Sequence, residues 1–131
     1  MGANDPYRIL VVDDSRQITD TLVLILRSAG YMAIGVYSAA EARSDFVDFK
    51  PDLVLADVVL GDGNGLDLAV EFRQKYPDCR ILLFSGQVTS EDLRRMSPEG
   101  GNFQLLDKPV DPQFLVKFLA NAFDHSVVAS A

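Results

Sequence analysis

The chain has no tryptophan, one histidine and one cysteine in 131 residues. A single thiol, Cys79, excludes an internal disulfide and a multi-cysteine zinc site. It opens an apolar run and reads as a small buried hydrophobe rather than a nucleophile. His125 stands alone near the end of the last helical stretch and reads as structural or solvated. Basic residues are few: 12 Lys plus Arg against 19 Asp plus Glu give a net charge of −7. That balance argues against a nucleic-acid or anionic-membrane surface, because both need a basic face. Long apolar runs are missing too. Ile9–Val12, Leu22–Leu26 and Ile81–Phe84 are far shorter than the roughly 20 residues of a membrane span. Met1–Arg8 is polar and has no signal-peptide core. What is left is an acidic, soluble domain, with the cytoplasm as its expected location. With 48% apolar residues, a chain of this length supports one core that buries roughly two-thirds of the unfolded surface.

Five short apolar runs alternate with amphipathic stretches. Ile9-Leu10-Val11-Val12 ends abruptly at Asp13-Asp14 and reads as a strand buried on both faces. From Ser15 the period turns helical, with Ile18, Leu22, Ile25, Leu26 and Ala29 on one face and Gly30 as the C-terminal stop. Met32–Tyr37 is a weaker strand. Ser38 and Glu41 have capping-box spacing and open a helix to about Phe49. Leu53–Ala56 is a third strand, ending at Asp57. A glycine loop, Gly61–Gly65, leads to a helix with Leu66, Ala69, Val70 and Phe72 facing inward, stopped at Tyr76-Pro77. Arg80–Phe84 is the fourth strand, and Val88–Asn102 is poorly patterned apart from a short helix over Ser90–Met96. Gln104–Leu106 is the fifth strand. Asp111-Pro112 then starts a last helix, carrying Phe114, Leu115, Phe118, Leu119 and Ala122, that frays near His125.

This alternation predicts an α/β, flavodoxin-like (βα)5 fold: a five-stranded parallel sheet in the order 2-1-3-4-5, covered by helices on both faces. Strands 1 and 3 then meet at the switch point of the sheet, where ligands bind beyond the carboxyl ends. The residues that terminate the strands are Asp13-Asp14, Asp57, Ser85 and Lys108, so three carboxylates, a hydroxyl and an ammonium converge on one crevice. Each alone has an ordinary explanation as a cap or loop residue. Together they do not. Two carboxylates about 4 Å apart repel by roughly 4 kcal/mol at an effective dielectric near 20. Such a site must raise a carboxylate pKa or bind a cation, and an all-oxygen cluster favours a hard ion such as Mg²⁺. The lysine suits an anion beyond that ion, with phosphate the natural candidate, and an aspartate there is a plausible phosphoryl acceptor.

The set Val12-Asp13-Asp14, Asp57, Ser85-Gly86 and Lys108-Pro109 resembles the receiver domains of two-component response regulators, and the likeness runs from about Tyr7 to Ala122. It implies an extension at 1–6, a receiver domain at 7–125 and a tail at 126–131. By the resemblance, Asp57 takes a phosphoryl group from a sensor histidine kinase or phosphotransfer protein. Asp14 ligates Mg²⁺ directly, Asp13 mostly through water, and Asp57 with the Val59 backbone carbonyl completes the protein ligands. Lys108, Ser85 and the Gly86 N–H bind the phosphoryl oxygens, and the Lys108–Pro109 peptide is cis. The output is a conformational change toward a downstream protein, with no turnover of an outside substrate and no DNA binding or membrane contact by this domain. The helix 4–strand 5–helix 5 face is a surface for homodimers.

Two positions depart from that family. Gly61 stands where proline is common. The switch aromatic three residues before the lysine is replaced by Leu105, leaving Phe103 as the substitute to consider. The glycine loop lacks the ligands of an EF-hand and the GK[ST] of a P-loop. A haloacid-dehalogenase-type phosphatase needs a second aspartate where Val59 stands. A pseudo-receiver that keeps the fold without the phosphorylation, or a receiver fragment of a larger regulator, are the nearer alternatives.

Overall fold

Runs of Val, Ile and Leu can be buried on both sides of a sheet, and each run here stops where charge or glycine begins. In the computed structural model, which describes residues 5–130 with side chains as far as Phe123, β1 is Arg8–Val12 and β2 is Met32–Val36. β3 is Leu53–Asp57, β4 is Arg80–Ser85 and β5 is Gln104–Asp107. They form one parallel sheet in the order β2-β1-β3-β4-β5. The helices between them are α1 (Arg16–Ser28), α2 (Ala39–Phe49), α3 (Gly65–Lys75), α4 (Ser90–Met96) and α5 (Pro112–Ser130). The expected arrangement is therefore the observed one.

Alternation along β1 divides the core in two. Ile9 and Val11 join Leu53, Leu55, Leu82 and Phe84 under α1 and α5, with Leu22, Leu26, Leu115 and Leu119. Leu10 and Val12 join Val54, Ala56 and Leu83 on the other face, under Phe46 of α2, Phe72 of α3 and Leu93 of α4. The strands run between these layers, so a polar residue at a strand's carboxyl end emerges at the rim and nowhere else.

Local chemistry sets the helix ends. Ser15, Ser38, Asn64 and Thr89 cap α1 to α4 by accepting a backbone N–H three residues on. Asp111 accepts the Gln113 N–H just ahead of α5. Gly30 leaves α1 with a φ of 100°, the left-handed turn that glycine enters without steric cost. The Ser38–Glu41 pair is a shifted box: Glu41 receives the Tyr37 N–H rather than that of Ser38.

Several expectations move. β2 stops at Val36, one residue before Tyr37. The inward face of α1 is Thr19, Leu22, Val23 and Leu26; Ile18 and Ile25 are half-buried and Ala29 is exposed. The helix rolls because it must cover β1 and β2 as well as meet α5. In α3, Leu68 is buried and Val70 only half so. The glycine loop contains a two-residue antiparallel ribbon, Val59–Leu60 with Gly63–Asn64, and the unpatterned stretch holds a 3₁₀ turn at Gly100–Asn102. The α5 backbone is helical to Ser130, past the point where fraying was expected, since no glycine or proline interrupts it. The surroundings of His125 lie outside the described residues, as do positions 1–4 of the expected extension. No helix among the described residues is long and apolar enough to cross a membrane.

Candidate functional site

Asp13 follows β1 and Asp57 ends β3, so the neighbouring central strands present both carboxylates at the same rim. Both side chains are buried, and Asp14 is exposed beside them. Carboxylate oxygens of Asp13, Asp14 and Asp57 all lie within 4.8 Å of one another. Each buried carboxylate is aimed by a backbone donor two residues on: Asp13 Oδ1 accepts the Ser15 N–H at 3.0 Å, and Asp57 Oδ1 accepts the Val59 N–H at 3.0 Å.

Lys108 arrives from the far side of the sheet. Its backbone N–H donates to the Ser85 carbonyl, which extends the β4–β5 ladder by one rung. Its Nζ donates to Asp13 Oδ2 and to Asp57 Oδ2, 2.7 Å in each case, and sits 4.6 Å from the centre of the Phe84 ring. The Lys108–Pro109 peptide is cis, as the resemblance implied. Burial pushes Asp57 up, and the Lys108 and Val59 hydrogen bonds recover only part of that rise. Burial would also lower Lys108, but its bonds to Asp13 and Asp57 hold it above the usual ammonium range. The ammonium therefore stays charged at neutral pH.

Ser85 is buried at the end of β4, and its Oγ accepts the N–H groups of Gln87 and Val88. Gly86 is exposed beside it, and a Cβ there would lie 3.5 Å from Lys108 Cβ. The strand register separates the two switch candidates. Leu105 pairs with Leu83, and Asp107 pairs with Ser85. Phe103 precedes β5, four residues from the Ser85 level, or ~13 Å along a strand. Its ring is buried in the α2–α4 core under the Arg73 guanidinium, 4.0 Å away, and Arg73 also donates to the Asn102 carbonyl.

Three further residues build the site without having been singled out in the sequence. Thr19 is fully buried and donates its hydroxyl to the Asp13 carbonyl at 2.7 Å. Its spacing to Leu22, Val23 and Leu26 is helical, so a polar residue inside an inward stripe was the available signal. Gly65 donates its N–H to the Val58 carbonyl, and a Cβ there would fall 2.0 Å from the Asp57 carbonyl oxygen. That contact needs glycine for space, which no sequence pattern reveals. Asp62 reaches away from the cluster to α2.

A cation fits this donor set. Three carboxylates converge with oxygen donors only, and a hard divalent ion would offset the repulsion among them that the Lys108 ammonium relieves in part.

Comparison with known proteins agrees with the geometry. The family model described as the response regulator receiver domain matches residues 9–120. The DNA-binding transcriptional regulator NtrC of Azospirillum brasilense is 33% identical over 94% of this chain and 25% of its own length. The phosphate regulon regulator PhoB of Pseudomonas aeruginosa is 31% identical over 82% of this chain and 48% of its own. The chain thus spans between a quarter and a half of these relatives. A CheY-like receiver domain from Methanospirillum hungatei superposes with a TM-score of 0.83 at 26% identity, covering 92% of this chain and 96% of that one. A signal receiver domain from Pseudomonas fluorescens gives 0.82 at 27% identity, covering 92% and 96%. By strand order, rim carboxylates, bridging lysine and family match together, this chain belongs to the response regulator receiver domains of two-component systems.

Proposed function

We propose that Asp57 is the phosphoacceptor of a signalling switch, supplied by a phosphohistidine on a sensor kinase or phosphotransfer protein. A carboxylate oxygen of Asp57 attacks phosphorus. The P–O bond forms as the P–N bond breaks, and the bonding pair stays on the imidazole nitrogen. Such transfers need alignment and charge neutralisation more than covalent help. Lys108 supplies a cation already within hydrogen-bond reach of the nucleophile. The Ser85 hydroxyl, whose oxygen now accepts two N–H groups, still has its own proton to give to a phosphoryl oxygen, and the Gly86 N–H supplies another donor. Asp13, Asp14, Asp57 and the Val59 carbonyl would hold Mg²⁺, which when bound offsets the negative charge of carboxylate and phosphoryl group.

The observation that carries this reading is the Lys108 bridge between Asp13 and Asp57 inside a cluster of three carboxylates. Acyl phosphate on Asp57 adds charge and strong acceptors, draws Ser85 toward it, and biases the α4–β5–α5 face. With Phe103 held under Arg73, Leu105 is the residue positioned to follow Ser85. The domain turns over no outside substrate. Its downstream partner is a protein, or a second copy through that face. DNA binding belongs to the much longer NtrC relative, by its name.

Intact-protein mass spectrometry after incubation with acetyl phosphate and Mg²⁺ tests this. One phosphoryl adduct on the wild type, lost in Asp57→Asn, is expected. No adduct from acetyl phosphate or from a phosphorylated kinase, together with no response to Mg²⁺, overturns the reading in favour of a pseudo-receiver.

A further inference from the structure

Asp62 lies at the tip of the ribbon that follows Asp57, exposed to solvent, yet both its carboxylate oxygens are engaged. Oδ1 accepts the Ala39 N–H at 2.9 Å and Oδ2 accepts the Ala40 N–H at 3.1 Å. These are the first two residues of α2, whose own cap, Ser38, is already taken by Glu41. A carboxylate more than twenty positions downstream therefore satisfies two of the N–H groups that a helix start leaves open.

The segment that Asp62 anchors is soft. Gly61 and Gly63 flank it, and Gly63 has a φ of 155°. It also forms one wall of the carboxylate cluster. Val59 donates to Asp57 Oδ1, and a Cβ on Gly61 would lie 3.5 Å from Asp14 Oδ2. The other polar side-chain bonds of the ribbon are local, Val59 to Asp57 and Asn64 to Asp67. The Asp62 bonds are those that reach a separate element.

We propose that Asp62 is a positioning residue for cation binding. By tying the ribbon tip to α2 it holds Val59 and Gly61 against Asp57 and Asp14, and so supplies the rigidity that the two glycines remove. The inference rests on reading the cluster as a Mg²⁺ site. Groups that orient metal ligands typically change affinity by 10–100-fold when lost. A flexible, exposed loop belongs at the lower end of that range.

Calorimetric titration of the full chain with MgCl₂ at constant ionic strength tests it, with folding of each variant checked by circular dichroism. Asp62→Ala is expected to weaken Mg²⁺ binding roughly tenfold. Asp62→Asn, with one acceptor oxygen left for α2, should fall between that and the wild type. The double variant Asp62→Ala with Gly61→Pro is the sharper test, because proline stiffens the loop without restoring charge, and Gly61 has no positive φ to forbid it. It should regain most of the lost affinity. If the wild type binds Mg²⁺ and Asp62→Ala binds equally well, the positioning role is wrong and the Mg²⁺ reading stands. If Asp62→Asn loses as much as Asp62→Ala and proline restores nothing, Asp62 acts by charge alone, which also overturns the inference. No saturable binding by the wild type overturns the Mg²⁺ reading itself.

Discussion

The central strands of the sheet and its flank at β5 and α4 are built differently. β1 and β3 are buried along almost their whole length, whereas β5 has two exposed and two half-buried residues. Polar contacts at the centre join residues far apart in the chain: Lys108 to Asp13 across 95 positions, Lys108 to Asp57 across 51, Asp62 to α2 across more than twenty. On the flank they are mostly local, as in Thr89 with Asp92, Ser97 with Glu99 and Arg95 with Glu91. Carboxylates that must keep a fixed geometry stand on strands that cannot shift without opening both cores. The lysine that completes them directly follows the half-exposed strand. The proposed switch uses both properties: a rigid half to hold the reacting groups, and a compliant half whose packing could change once Asp57 is phosphorylated.

The largest expected effect sets two tight glycines against each other. Gly65→Ala places a methyl 2.0 Å from the Asp57 carbonyl, and Gly100→Ala places one 1.8 Å from the Leu93 carbonyl. Overpacking typically costs 1–3 kcal/mol and occasionally more. We expect about 3 kcal/mol or more for Gly65→Ala, where β3 cannot yield, and about 1–2 kcal/mol for Gly100→Ala, where α4 can move. Urea denaturation measures both. Equal losses would break the contrast between a rigid centre and a compliant flank.

Next in size is Thr89→Ala, which removes the capping box of α4 and should cost about 1 kcal/mol. Hydrogen exchange sharpens this prediction. The amides of Leu93–Met96 should lose protection while those of β1 and β3 keep theirs, and a loss shared with the central strands would mean that the flank is not locally held.

The smallest effect belongs to the α2–α3 side. Glu71 bonds Arg43 at 3.0 Å and Lys75 at 3.4 Å. Burial pushes its carboxyl up, but Arg43 and then Lys75 hold it below its ordinary value. A folded-state pKa below the unfolded one gives stability that is present at neutral pH and is lost as pH falls through the folded value. Glu71→Gln should therefore cost about 0.5 kcal/mol at pH 7, a difference that shrinks as pH falls below the ordinary carboxylate value of about 4 and vanishes once the folded-state carboxyl is protonated. Melting curves across that range check it. A difference that persists undiminished at pH 3 would assign the effect to packing instead of charge.

How much was legible differs between the same two regions. The strand runs of the centre stop at charged residues, so the sequence itself points to Asp13 and Asp57 as rim residues, and Lys108 ends the short flank run in the same way. The flank is harder to read, because Val88–Asn102 has no sustained period and its helix, α4, is held by a cap and by the Gly100–Leu93 contact. The 3₁₀ turn and the burial of Phe103 under Arg73 depend on neighbours distant in the chain. Thr19 had a signal in its spacing. Gly65 and Asp62 had none, since their roles exist only where loop, strand end and helix start are brought together.

By itself the sequence determined the class of fold, from which the strand order was expected, and the identity of the rim residues, because burial on two faces and helical periodicity are properties of neighbouring positions. The tertiary structure alone decided which groups touch. It placed one ammonium between two carboxylates, put Phe103 ahead of β5 and away from Ser85, and tied a glycine loop to a helix start. Those are contacts across tens of residues, where distance is set by the packing of the whole sheet and local pattern carries no information about it.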